Sequence, residues 1–310
     1  MTTIFGFSKP LFHGAFFILL CVKGLSVYAQ MAPAAPSAQA SKKHSPIAIN
    51  VLPSGPVFVL GSHGGLSLID PATHQRTPMK TSLGNFTPLD MTSIHLGDQD
   101  YLLITMYWAF STQAAQGNEA VLVQYSLQGK EAQKWSTLGH VFAGIAADGT
   151  HQCVYLGSTT SGDIWKLSLS GQESPKSIAH TGASMIGPLA LDLEGKRLFA
   201  ADLGAGSIYV IDLAHNKSRS LASGLGEPAA LSYDSSQHKL YIADASRHRI
   251  SQISVDAATP KVSDFFTAPE LHEPRGVSVA ADHTVWAADF DSGTIIQISG
   301  TGKILATVKE

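Results

Sequence analysis

The sequence is short of charge and almost without cysteine. Of its 310 residues 15% are charged, and two are cysteines. No Lys/Arg-rich run breaks a formal net charge of −3, which excludes the extended basic surface that nucleic-acid binding requires. The chain has no G-x-G-x-x-G run, no P-loop, no G-x-S-x-G elbow and no H-E-x-x-H pair. Phosphate cradles, hydrolase triads and zinc-protease sites therefore have no anchor. Near its start the chain carries one uninterrupted apolar run, Ala15–Val22, which is far short of the roughly 18 residues that cross a bilayer.

That run has a different meaning. Lys9 is the only charge before it, and Ser26-Val27-Tyr28-Ala29 after it is a small-residue exit of the A-x-A kind. A charged start, a short apolar core and such an exit mark a secretory signal peptide. Residues 1–29 are expected to be removed, leaving no transmembrane anchor and placing the protein in the periplasm or outside the cell. A lipid anchor at Cys21 is not expected, because Leu20 precedes it where a small residue would stand. Cleavage takes away Lys9 and Lys23, leaving 19 basic against 24 acidic residues, net −5.

Residues 30–46 are rich in Ala and Pro and hold one long apolar residue, Met31. They cannot bury enough surface to offset the entropy of ordering and read as a flexible tether. The remainder, 47–310, reads as one domain. Its single cysteine, Cys153, cannot form an internal disulfide, so stability must come from core burial. Cys153 precedes Val154-Tyr155 in an apolar strand and is expected to be an inert buried thiol.

The 28 glycines and 15 prolines are spread along the chain, as many short strands require. The last third repeats openly. Leu198–Asp202, Leu240–Asp244 and Val285–Asp289 share one pattern, each preceded by an apolar strand and followed by another. Weaker copies surround Val154-Tyr155-Leu156, Leu102-Leu103-Ile104 and Val57-Phe58-Val59. Marker residues at 58, 103, 155, 199, 241 and 286 are 45, 52, 44, 42 and 45 apart. A period in the forties with three or four strands per unit is the signature of propeller blades, and a β-helix repeats on a much shorter period. The expected fold is all-β: a six-bladed β-propeller of four-stranded antiparallel blades around a central channel. The aromatic markers are expected between blades. No swapped strand that would close the ring is evident.

Glu227-Pro228-Ala229-Ala230-Leu231-Ser232 with Leu240–Ile250, and Glu273-Pro274-Arg275-Gly276-Val277 with Val285–Asp289, resemble NHL repeats. The resemblance is good over 183–300 and loose over 47–170, and it extends at fold level to the regucalcin and gluconolactonase superfamily. Residues 201–212 also faintly resemble the yellow and royal-jelly proteins. A regucalcin-like lactonase would hold a divalent metal with Glu, Asn and Asp at the inner-strand entrances. Here the corresponding positions are Leu89, Ala143, Gly187, Ala229 and Arg275, which offer no oxygen ligand. Asp90 and Asn50 lie near but do not form a site alone. The NHL-type amidating lyases use zinc held by histidines. The 12 histidines beyond residue 29 lack any tight ligand spacing, so neither a metal nor another cofactor is expected.

The functional candidates are the residues that break the repeat at the channel mouth. Asp202, Asp244 and Asp289 recur and read as turn caps. Arg275 replaces small counterparts, with Glu227 and Glu273 at neighbouring entrances and His140 and His272 before first strands. Blade two inserts residues 107–119, led by Tyr107 and Trp108, where blade six has only Phe290–Gly293. Such an insertion serves as a binding lip or packs on the neighbouring blade. These residues are expected to present a surface for an unidentified small molecule or protein, with a lactonase- or lyase-type enzyme as the alternative.

Overall fold

A computed structural model describes residues 45–81, 83, 86–108, 119–137, 140–171 and 173–309, without the side chains of Trp108 and Glu119. Twenty-four strands form six sheets of four, each made from consecutive strands in order. Blade 1 holds β1 (Pro46–Val51), β2 (Val57–Gly61), β3 (Leu66–Ile69) and β4 (Arg76–Pro78). Blade 2 holds β5 (Thr87–Leu96), β6 (Gln99–Trp108), β7 (Glu119–Ser126) and β8 (Glu131–Ser136). Blade 3 holds β9 (Phe142–Asp148), β10 (Cys153–Ser158), β11 (Asp163–Ser168) and β12 (Lys176–His180). Blade 4 holds β13 (Ile186–Asp192), β14 (Arg197–Asp202), β15 (Ser207–Asp212) and β16 (Lys217–Ser223). Blade 5 holds β17 (Pro228–Asp234), β18 (Lys239–Asp244), β19 (Arg249–Ser254) and β20 (Ser263–Phe266). Blade 6 holds β21 (Pro274–Val279), β22 (Val285–Asp289), β23 (Ile295–Ile298) and β24 (Ile304–Val308). Every pairing within a blade is antiparallel.

Burial follows from a sheet packed on both faces. Second strands such as β2, β10 and β22 are buried at every residue, whereas the outermost β8 exposes every residue except Trp135. A strand buried on both faces reads as a continuous apolar run rather than an alternation, which is why the second strands carry the visible repeat. The apolar core divides into six clusters, one for each layer between neighbouring blades. Each layer takes one marker: Phe58, Leu103, Tyr155, Phe199, Tyr241 and Trp286, all at or below 5% exposure. Fully burying one such side chain contributes about 1.5–3 kcal/mol. Cys153 lies in the layer between blades 3 and 4, and burial pushes its thiol pKa up, which disfavours the reactive thiolate.

Among the described residues no strand is shared between the first and last blades. Inner strand β1 packs on β21 and β22 of blade 6 on one side and on β5 of blade 2 on the other. The Ser278 hydroxyl accepts the Val51 N–H (3.0 Å) across this joint, and Ser232 accepts the Val279 N–H (3.0 Å) across the preceding one. Inner strands are sheet edges, and these bonds satisfy N–H groups that would otherwise stay unpaired. Among the described residues no helix is long and apolar enough to cross a membrane.

Candidate functional site at the channel mouth

The mouth is built from irregularities in the ladder. In all six blades the pairing of the first and second strands slips by one step near its start. The residues skipped are Ile47, Leu89, Ala143, Ala229 and Arg275, with Gly187 and Pro188 in blade 4. A bulge turns its extra residue out of the ladder and re-aims its side chain. Arg275 is therefore the one charged group among seven residues set at the same step of the fold.

Its guanidinium is held inside the protein. Arg275 Nε donates to Glu273 Oε1 (2.6 Å), and Nη2 lies 2.5 Å from that oxygen and 3.5 Å from Glu227 Oε1. The guanidinium carbon stands 5.3 Å from the centre of the Phe290 ring, within cation–π range. The three charged side chains are each about a third exposed, at 30%, 30% and 33%. One cation between two carboxylates leaves a net charge of −1 facing solvent.

The capping aspartates place this cluster. Asp289, fully buried, accepts the N–H groups of His272 (2.8 Å), Glu273 (2.6 Å) and Ser292 (2.8 Å). Asp244, also fully buried, accepts those of Gly226 (2.9 Å) and Glu227 (3.0 Å). Each thus pins the entrance of its own blade and fixes the backbone of one glutamate. Asp202 bonds only within its turn, to Gly204 (2.9 Å) and Ala205 (3.1 Å), and the matching position of blade 4 carries no glutamate.

The other candidates are not drawn into this cluster. His272 is exposed, with Nδ1 3.7 Å from the Asp291 carboxylate, and its carbonyl accepts from the His248 ring. His140 lies in blade 3, its ring centre 4.5 Å from Trp165 and 6.0 Å from Phe142. Tyr107 is half-buried near the end of β6, opposite Thr87. Burial pushes its phenol pKa up, while a hydrogen bond with Thr87 opposes the shift. Trp108 continues the β6 backbone opposite Glu119. The rest of the aromatic-led insertion, 109–118, lies outside the described residues.

Below the mouth the six inner strands enclose a channel cavity of 390 Å³. Its one carboxylate is Asp90, at a level where blades 1, 3, 5 and 6 place Ala48, Gly144, Ala230 and Gly276. Asp90 Oδ1 accepts the Met91 N–H (2.8 Å) and Oδ2 accepts the Ile145 N–H of the next blade (3.1 Å). Desolvation outweighs these bonds and raises its pKa from 3.8 to about 7. The buried amide oxygen of Asn50, on the neighbouring strand, has no hydrogen-bond partner. Sequence reasoning noted both residues but passed over Asp90, because spacing alone does not reveal which inner-strand residues lack a cationic neighbour. Among the described residues no group of three or more His, Cys, Asp or Glu side chains is arranged to hold a metal ion.

Comparison with known proteins locates the resemblance. Residues 177–309 match the family model described as SMP-30/Gluconolactonase/LRE-like region. No curated protein matches the chain. Among solved structures, a chain of a nidogen/laminin complex superposes with a TM-score of 0.64 at 16% identity, covering 80% of this chain and 91% of that one. Virginiamycin B lyase from Staphylococcus aureus gives 0.57 at 12% identity, covering 86% and 85%. Hydrazine synthase of Kuenenia stuttgartiensis gives 0.58 at 14% identity, covering 86% and 99%. At these identities the likeness is one of fold.

Proposed function

We propose that the protein is an exported binding module that takes a small molecule or a protein partner on its channel-mouth face. The observation that carries this reading is the Arg275–Glu273–Glu227 cluster, stacked on Phe290 at the one charged entrance bulge. A preorganised arginine beside a half-buried aromatic ring is the kind of anchor on which binding energy concentrates. The match of blades 4–6 to the gluconolactonase-type family supports the second reading, an enzyme with its site at the same mouth.

A site-specific crosslinking side chain separates the two. Placed at position 227 in the exporting cell, it is expected to give a discrete adduct that Arg275→Ala reduces at least fivefold. The same side chain at exposed His215, on the opposite face, is expected to give none. Equal adducts from both positions, or turnover of glucono-δ-lactone that a chelator abolishes, would overturn the proposal. Export itself is tested by the N-terminus of the mature chain, expected at Gln30.

A further inference from the structure

A second cavity, of 610 Å³, lies at the outer rim between blades 4 and 5, well away from the channel lining. Its walls are the end of outer strand β16, the turn after β18, and residues 259–264 leading into β20. The connection between β19 and β20, residues 255–262, is the longest of the six that join third to fourth strands. It departs from the repeat, and Thr259-Pro260-Lys261 within it forms one side of the cavity.

The charges in this cavity do not cancel. Arg247, Arg249 and Lys261 line it against one carboxylate, Asp264. Arg249 is committed: its fork meets Asp264, and one nitrogen lies 3.5 Å from Asp244. Its Nε is nevertheless buried without a partner. Arg247 bonds only the Gly224 carbonyl, and Lys261 has no acidic partner among the described residues. Ser220, Ser223 and Thr259 are also among its lining residues. Solvated arginines and lysines on a surface are ordinary. Two cations without a carboxylate partner on one concavity, in a chain of net charge −3, are a donor set without an acceptor.

We propose that this cavity is a second binding site, for a doubly charged tetrahedral oxyanion, the free sulfate or phosphate ion or its ester on a small sugar. The net charge of the lining, +2, matches such a group. The planar fork of Arg247 and the ammonium of Lys261 supply charge-assisted bonds that a chloride ion cannot use bidentately. This site does not rest on the mouth-face reading, because it shares no residue with it.

Calorimetric titration of the mature chain with sodium sulfate, sodium phosphate and glucose 6-phosphate tests it, with sodium chloride at matched ionic strength as reference. Saturable one-to-one binding of the divalent anions is expected, with chloride giving none. Lys261→Gln and Arg247→Gln are each expected to weaken it at least tenfold with the melting temperature unchanged, and Arg275→Ala to leave it intact. Tighter binding of the sugar ester would assign the source as an ester, and equal binding would assign it as the free ion. Binding no stronger than that of chloride, or equal binding by both variants, would overturn the proposal.

Discussion

Gly144 and Gly187 face each other where inner strands β9 and β13 approach the axis, and this is where the ring has least room. A Cβ built on Gly144 would meet the Gly187 carbonyl carbon at 2.7 Å and Pro188 Cα at 2.9 Å, with the Gly187 oxygen closer still. All three are backbone atoms, so no side chain can rotate away. Gly144→Ala must push blades 3 and 4 apart or distort one strand. Overpacking of this kind costs about 3 kcal/mol, and the lower entropy of the unfolded alanine chain returns about 0.4–1 kcal/mol. The net loss of about 2–3 kcal/mol lowers the melting temperature by about 4–12 °C for a domain of this size. Differential scanning calorimetry reads this directly. Two controls isolate the cause. Gly171→Ala, whose nearest neighbours are at 4.0 Å, meets no clash and should raise the midpoint by about 1–4 °C through the entropy term alone. Gly187→Ala presses only on the Leu203 side chain, which can turn, and should cost less than Gly144→Ala. A Gly144→Ala protein melting with its parent would refute the claim that backbone contact at the axis sets the blade spacing.

Other outcomes follow from the same structure. Asp289→Ala leaves three N–H groups at the blade 6 entrance without their acceptor and should cost about 2–3 kcal/mol, read by urea denaturation. A loss below about 0.5 kcal/mol would show that water replaces the cap. Asp90 is expected to shape the pH dependence. Its folded pKa, about 7, lies above its ordinary 3.8, so the native state holds the proton longer than the unfolded chain does. The stability this contributes is present below about pH 4 and is lost as pH rises towards 7. Relative to the parent, Asp90→Asn should therefore gain stability across that window, and a difference constant from pH 4 to 8 would refute the shift. Asp163, Asp234 and Asp256 have lowered pKa values, so their contribution has the opposite sign and fails only in acid.

The fold was legible because two-sided burial forces the second strand of each blade into an apolar run ending in a small or acidic turn residue. The spacings of Phe58, Leu103, Tyr155, Phe199, Tyr241 and Trp286 therefore counted the layers correctly, even in blades 1–3 where other similarity fades. The capping role of Asp202, Asp244 and Asp289 was legible for the same reason, since a structural task recurs wherever the structure does. The site was legible only in part. Arg275 stood out by breaking the repeat, and its glutamate partners stood at the entrances of its own and the preceding blade. Asp90 did not stand out, because its raised pKa comes from enclosure by five other blades. The rim cavity was invisible, since Arg247 and Lys261 lie on blade 5 and its opposite wall, residues 220–224, comes from blade 4 through lateral packing. His140 and Tyr107 show the converse: the right step of the repeat does not bring two side chains together across a channel.

Because every blade is a continuous stretch of chain, the joint between blades 1 and 6 has the same construction as the other five. Shear at that seam separates apolar surface and the Val51–Ser278 contact, but it unzips no ladder. Topologically the chain is a necklace of six beads rather than a belt with a buckle. Among the described residues, joining blade 6 to blade 1 and opening the ring at any other inter-blade connection would leave the strand ladders the same.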